Sequence, residues 1–255
     1  MDLRRVEFAL RGHGDPPVVF ENGLAGTLRW WAEVLPMIAE KHAAFAYNRP
    51  GYGSSEPVAT PRDGDHIVDE LRALLRSKGL QPPYVLVGHS LGGLYMQLFA
   101  RRHPHEVAAL ILVDSTHPEQ FRGQGSSNHW PLWFRGLYRL LTTDVEKAEF
   151  DAVDATGRRV LALPPPAGKP VFVLSALKPM TVKSAFAKDA NAKRQDVARL
   201  YPGSRQIWVD SGHGIPLERP DAVIDAIREA LRLVHAEPAA HTAPSRDAVA
   251  KRPAP

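Results

Sequence analysis

Gly88-His89-Ser90-Leu91-Gly92-Gly93 decides how this chain is read. The stretch follows Tyr84-Val85-Leu86-Val87, a short apolar run of buried-strand character. It opens a segment in which Leu91, Leu94, Tyr95, Leu98 and Phe99 recur at helical spacing. A strand that turns sharply into a helix needs small residues beside the turn, because the two backbones then approach closely. The apex residue, Ser90, is expected in a strained conformation with its hydroxyl above the carboxyl end of the strand. The next amide, that of Leu91, falls in the first helical turn, where N–H groups lack intrahelical partners and the helix dipole favours negative charge. The stretch reads as a nucleophile elbow, pairing a serine that attacks with a backbone donor for the charge that develops.

On either side of the elbow, apolar runs alternate with helical segments, the pattern of parallel strands covered by helices. Val18–Phe20, Ala43–Tyr47, Val107–Val113, Val171–Leu174 and Gln206–Val209 are further strand candidates, and Arg4–Leu10 is expected as an antiparallel edge strand. Ile67, Val68, Leu71, Leu74 and Leu75 share one helical face that Gly79 can terminate. Val223, Ile224, Ile227, Leu231 and Val234 share another. All these positions are read as core.

The 255 residues are 44% hydrophobic, which suits one substantial core carrying an insertion. The organisation expected is a core domain over 1–116 and 169–235, a helical cap inserted at 117–168, and a disordered Ala- and Pro-rich tail over 236–255. Trp130, Trp133, Phe134, Leu137, Tyr138 and Leu140 mark the insertion, and Pro164-Pro165-Pro166 closes it. There are no internal repeats. The net charge of +4 comes from Lys and Arg spread along the chain, with no basic stripe or nucleic-acid-binding motif. The absence of cysteine excludes disulfides and thiolate chemistry. Met1-Asp2-Leu3-Arg4-Arg5 is too charged for a signal-peptide core, and the longest clean apolar run, Val107–Val113, is far short of a membrane span. A cytoplasmic protein is expected. No H-E-x-x-H, Walker A or dinucleotide-binding glycine pattern occurs, so neither a metal nor a cofactor is expected.

Taken with its flanks, the elbow resembles that of the α/β-hydrolase superfamily, and the resemblance extends over about residues 3–234. Val18-Val19-Phe20-Glu21-Asn22-Gly23-Leu24 is similar to the family's strand-3 loop, with Asn22 where His is usual. Asn48-Arg49-Pro50-Gly51-Tyr52-Gly53-Ser54-Ser55 is similar to its Asp-Arg-x-Gly-x-Gly-x-Ser segment. Ser211-Gly212-His213 with Ile215-Pro216 and Glu218-x-Pro220 is similar to its histidine loop. The resemblance implies a mostly parallel eight-stranded sheet, seven being the alternative count, with helices on both faces and a helical cap. Related dehalogenases and epoxide hydrolases attack with Asp, and Ser90 argues against both.

A serine hydroxyl needs a base near neutrality. His213, just past the last expected strand, is the choice; His89, in the variable position of the elbow, is read as packing beside the site. The acid is Asp114, at the end of Leu112-Val113-Asp114, or alternatively Asp210. The stretch after the following strand, Ser175 to Met180, where most of the family carries its acid, has no carboxylate, and Asp189 lies far along that loop. Asp114 would hold the histidine tautomer. Leu91 supplies one oxyanion-hole amide; by resemblance Leu24 supplies the other. Glu21 is read as structural, or as a partly exposed loop acid. The reaction expected is hydrolysis of a small, hydrophobic carboxylic ester through an acyl-enzyme. The same residues also fit an acyltransferase, amidase, carbon–carbon hydrolase, lyase or cofactor-free perhydrolase, and the scaffold also fits a ligand receptor.

Overall fold

Seven of the apolar runs become strands of one sheet. The computed structural model of the protein describes residues 5–123, 142–178 and 185–236. The strands are β1 (Phe8–Arg11), β2 (Val18–Glu21), β3 (Ala44–Tyr47), β4 (Tyr84–His89), β5 (Val107–Val113), β6 (Val171–Ala176) and β7 (Arg205–Val209). Their spatial order is β1-β3-β2-β4-β5-β6-β7. β1 runs antiparallel to β3, and every other pairing is parallel. The count among the described residues is thus seven rather than eight, one for each run the residues themselves supply. The order reverses between β2 and β4, and such a switch leaves a crevice beyond the carboxyl ends of the two strands, where ligands of open α/β sheets bind.

The helices are α1 (Leu35–Ala39), α2 (Gly64–Ser77), α3 (Leu91–Arg102), α4 (Asp144–Asp151), α5 (Val153–Leu161), α6 (Ala185–Asp196), α7 (Ile215–Glu218) and α8 (Pro220–Ala236). They lie on both faces of the sheet because alternate strand residues point to opposite faces. Val19, Phe45, Leu86, Leu110 and Val173 join one buried cluster with α2, α3 and α5. Val18, Phe20, Val85, Val87, Ile111 and Leu174 join a second with α1 and α8. The Asp63 carboxylate caps α2 by accepting from the His66 amide, and Gly79, at φ +75°, follows its end.

α3 departs from the one-faced helix expected. Every residue from Leu91 to Arg101 is buried, since the helix is enclosed by β4, β5, α2 and α5. Two of its polar side chains are paired accordingly. Gln97 Nε2 donates to Ser115 Oγ (3.0 Å), and Arg101 donates to the carbonyl of Leu163 (2.6 Å). Of the expected cap region, α5 buries Val153 and Val160 in the same cluster as α2 and α3. Trp130, Trp133, Phe134, Leu137, Tyr138 and Leu140 lie outside the described residues, as does the tail beyond Ala236. Among the described residues, no helix is long and apolar enough to cross a membrane.

Close backbone contact governs the turn into α3. A Cβ on Gly92 would stand 2.5 Å from the carbonyl oxygens of both Glu21 and Asn22, and one on Gly88 would stand 2.6 Å from the Cα of Gly93. Gly92→Ala is expected to destabilise the protein by more than about 2 kcal/mol. Gly79→Ala, with positive φ but open space around it, should lose about 1 kcal/mol. Urea unfolding of the two variants measures the difference, and equal losses would show that the helix can retreat from β2.

Candidate active site

Ser90 stands at the junction of β4 and α3 with φ 53° and ψ −122°, a conformation that L-residues rarely adopt. Backbone bonds hold it there. Its N–H donates to the carbonyl of Val113 (3.1 Å), and its own carbonyl accepts from Gly93 (2.9 Å) and Thr116 (2.9 Å). The elbow is thereby fastened to the end of β5 as well as to its own helix.

The structure brings Ser90, His213 and Asp114 together from three parts of the chain. His213 Nε2 lies 2.9 Å from Ser90 Oγ, and His213 Nδ1 lies 2.5 Å from Asp114 Oδ2. An ionised carboxylate only accepts, so Nδ1 carries the proton and Nε2 is left to accept from the serine hydroxyl. The Asp114 side chain is fully buried, whereas that of His213 is half exposed. Asp114 too has positive φ (42°), and its Oδ1 accepts from the Ala176 amide at 3.1 Å, so β6 orients the carboxylate. The other acids lie elsewhere. Asp210 is exposed, 3.5 Å from Lys178, and Asp189 pairs with Lys193.

His89 packs as the sequence suggests. Its ring lies between those of Trp30 and His213, at 4.8 Å from each, and its Nε2 lies 2.8 Å from the carbonyl oxygen of His213. Only a protonated Nε2 can donate to that carbonyl. Burial, followed by the neighbouring His213, lowers its pKa to about 3, so the ring is neutral.

Gly23 and Leu24 follow β2 and face the elbow: a Cβ on Gly23 would stand 3.0 Å from Ser90 Cβ. The Gly23 carbonyl accepts from Arg49 Nη2 (3.0 Å) and from the Gly26 amide (3.2 Å). In a planar trans peptide the N–H points opposite to the C=O, so fixing this carbonyl also fixes the direction of the Leu24 N–H. Neither the Leu24 nor the Leu91 amide donates a hydrogen bond among the described residues.

Sequence reasoning missed the support beneath this loop. Arg49 is buried, 1% exposed, between two carboxylates that are fully buried. Its Nη1 donates to Glu21 (2.7 Å) and to the Asn22 carbonyl (2.6 Å); its Nε and Nη2 donate to Glu149 on α4 (2.9 and 2.7 Å). Tyr47 and Tyr52 hydroxyls donate to Glu21 and Glu149. Glu21 is therefore a core acid on β2, not an exposed loop residue. Burial raises its pKa, and Arg49 opposes the rise. Asn22, standing where the family usually has His, donates from Nδ2 to the Tyr47 carbonyl (2.8 Å) and so ties the loop to β3.

The cavity beside Ser90 is walled by Thr116, Gln120, Phe121, Arg194 and His213, among others. A larger cavity lies at the opposite end of the sheet, where Val171 begins β6; it is bounded by Pro165, Pro166, Tyr201, Pro202 and Leu233 and holds no acid, base or nucleophile arrangement. Among the described residues no group of three or more His, Asp or Glu is placed to hold a metal ion.

Two measurements test the buried chemistry. Glu149→Ala strips Arg49 of one partner and is expected to lose about 3–5 kcal/mol in urea unfolding. A loss below about 1 kcal/mol would mean that water replaces the carboxylate. For His89, the folded pKa near 3 lies below the ordinary 6.5, so between those values the unfolded chain binds a proton that the folded protein does not. This contribution to stability is present above pH 6.5 and falls as pH falls towards 3, by up to about 1.4 kcal/mol per pH unit. His89→Gln should flatten the pH dependence of stability by that amount, and an unchanged slope would place the titration elsewhere.

Comparison with known proteins agrees with the fold. The family model described as alpha/beta hydrolase fold matches residues 16–169. The chain is 23% identical over 275 residues to the uncharacterised Bacillus subtilis protein YbdG, an alignment covering 92% of this chain and 85% of that protein. A second uncharacterised protein of B. subtilis, YqjL, is 31% identical over 104 residues, so the match spans 41% of either chain. Among solved structures, a thermophilic esterase from Thermogutta terrifontis superposes with a TM-score of 0.63 at 23% identity, covering 91% of this chain and 94% of the esterase. With more than half its length matched by that family model, on a mostly parallel sheet whose order reverses beside the serine elbow, this chain belongs to the α/β-hydrolase fold family.

Proposed function

We propose that the protein is a serine hydrolase that cleaves a small carboxylic ester through an acyl-enzyme, with Ser90 as nucleophile, His213 as general base and Asp114 as the acid that orients it. The observation carrying this reading is the hydrogen-bonded series Asp114 Oδ2, His213 Nδ1, His213 Nε2, Ser90 Oγ, at 2.5 and 2.9 Å. In this mechanism Ser90 Oγ bonds to the ester carbonyl carbon while His213 Nε2 takes its proton. The carbonyl oxygen becomes an oxyanion that receives the free amides of Leu24 and Leu91. Collapse breaks the bond to the alcohol, which leaves with the proton from His213. Water, deprotonated by the same nitrogen, then releases the acid.

The buried Asp114 stabilises the imidazolium that forms at each step. Residues 117–168 supply Gln120 and Phe121 to the cavity wall, which supports reading this region as a cap over the site. Phe121 and Ala190 give the wall an apolar part, in keeping with a hydrophobic acyl chain.

Hydrolysis of 4-nitrophenyl esters of increasing acyl length tests the proposal. Turnover by the parent that disappears in Ser90→Ala is expected. Asp114→Asn should reduce kcat by about 10⁴-fold, because the amide leaves the imidazole in the wrong tautomer. A folded protein inert on every chain length would overturn the esterase reading in favour of transfer, amide or carbon–carbon chemistry, or of a receptor. Turnover that survives Ser90→Ala would remove the nucleophile.

A further inference from the structure

Among the described residues, Arg194 is the one cation in the cavity wall that the proposed mechanism does not use. It lies on α6, and its side chain is 13% exposed. Its Nε is 3.3 Å from Asp114 Oδ1, the carboxylate oxygen turned away from His213. Among the described residues this ion pair is its only polar contact. A guanidinium carries five N–H donors in a planar fork, and the pair with Asp114 engages only the Nε edge of this one. The neighbouring cation is differently placed. Lys193 donates to the carbonyls of Gln120 and Arg122 and pairs with Asp189 at 2.7 Å, so it is fully engaged. Among the described residues no acid other than Asp114 lines the cavity, and the sequence stretches 124–141 and 179–184 contain no Asp or Glu.

From these observations we infer that Arg194 is a substrate-binding residue, and that the ester cleaved at Ser90 carries a carboxylate on its acyl chain, bound by the terminal nitrogens of Arg194. The inference rests on the serine-hydrolase reading for the reaction and adds the class of substrate. An arginine whose Nε edge faces one carboxylate still presents Nη1 and Nη2 as a fork that matches a second. Arg49 in the same molecule shows one guanidinium serving two acids, Glu21 and Glu149. Phe121 and Ala190 line the same cavity and suit the methylenes of a short dicarboxylic half-ester. Asp114 is shared during the reaction, because the imidazolium formed on His213 also draws on it. Arg194 is then less neutralised than in the resting protein, which strengthens its hold on a substrate anion as charge develops.

The test compares mono-4-nitrophenyl glutarate with 4-nitrophenyl pentanoate, two acyl chains of equal length that differ in the terminal carboxylate. The parent should favour the glutarate ester in kcat/KM by tenfold or more. Arg194→Met should collapse that ratio towards one, chiefly by raising KM for the glutarate ester, and Arg194→Lys should retain part of it. If Arg194 only steadies Asp114, both esters will lose kcat in proportion and the ratio will stay, which overturns the inference. Calorimetric binding of glutarate to Ser90→Ala reports on the anion site without turnover. Binding that disappears when Arg194→Met is added supports the site even if neither ester is cleaved, in which case the esterase reading alone fails. No saturation by glutarate up to millimolar concentration, together with no preference between the esters, overturns the anion site.

Discussion

The first turn of α3 lies against the end of β2 with no room for a side chain. At Gly92 a single added carbon would meet two carbonyl oxygens at 2.5 Å. This contact sets where the helix can begin, and so where the strand before it must turn. The apex of that turn is Ser90, and the loop pressed against it is Asn22-Gly23-Leu24. The neighbouring strand closes the arrangement, since the N–H of Ser90 is bonded to Val113 and its carbonyl to Thr116. Serine position and distance to the next strand are set by backbone atoms, and the direction of the Leu24 amide by the Gly26 N–H together with Arg49. That explains why Asn22 is tolerated where the family usually has histidine: the side chain changes its anchor, and the donors that face the elbow remain main-chain groups.

Beneath this backbone frame lies an arrangement that hydrophobic packing alone would not favour. Burying Arg49, Glu21 and Glu149 removes three charges from water, which costs several kcal/mol per ion before any attraction is counted. The cost is offset because nearly every donor and acceptor finds a partner, and two tyrosine hydroxyls complete the carboxylates. What the arrangement adds is direction. A Leu or Met in place of Arg49 would fill the space but leave the Asn22 carbonyl without a donor and the Gly23 carbonyl held by the Gly26 amide alone, so the 23–24 peptide would be less firmly oriented. The same guanidinium reaches Glu149 on α4, so the segment between β5 and β6 is tied to the loop that faces Ser90. A shift in that segment must therefore be felt at the Leu24 amide, through one side chain and one peptide plane.

Features encoded locally were legible in the sequence. The strand, the turn and the helix of residues 84–102 lie within twenty residues, and the steric rule for a tight turn applies without knowledge of the rest. His213 was legible for the same reason, as a histidine directly after a strand. Asp114 and Asp210 could not be separated, because both end strands and only the tertiary arrangement tells which meets the imidazole. Asp114 is buried against His213, while Asp210 is exposed beside Lys178. The Arg49–Glu149 contact spans 100 residues and has no periodic signature, so nothing in the chain announced it. Glu21 could be read as structural, but its partners could not be named, because they come from β3 and the segment after it. The eighth strand came from what the family usually has, not from an apolar run in this chain.

The position of Asp114, the acid of the proposed mechanism, shows how adjacent strands divide one task. Most of the family carries it beyond the strand that is β6 here, where this chain has Ser175-Ala176-Leu177. β5 and β6 are parallel neighbours in register, with Val113 opposite Leu174, so their ends emerge side by side. The Asp114 N–H donates to the Leu174 carbonyl at 2.7 Å, and its Oδ1 accepts from Ala176, so β6 contributes the backbone groups that position a carboxylate supplied by β5. The left-handed conformation at Asp114 brings that carboxylate to the imidazole instead of leaving it along the strand axis. An imidazole above two adjacent strand ends can be served from either. The requirement is a buried carboxylate oxygen facing Nδ1, and the sheet can meet it from β5 because β6 retains the donor that holds the acid still.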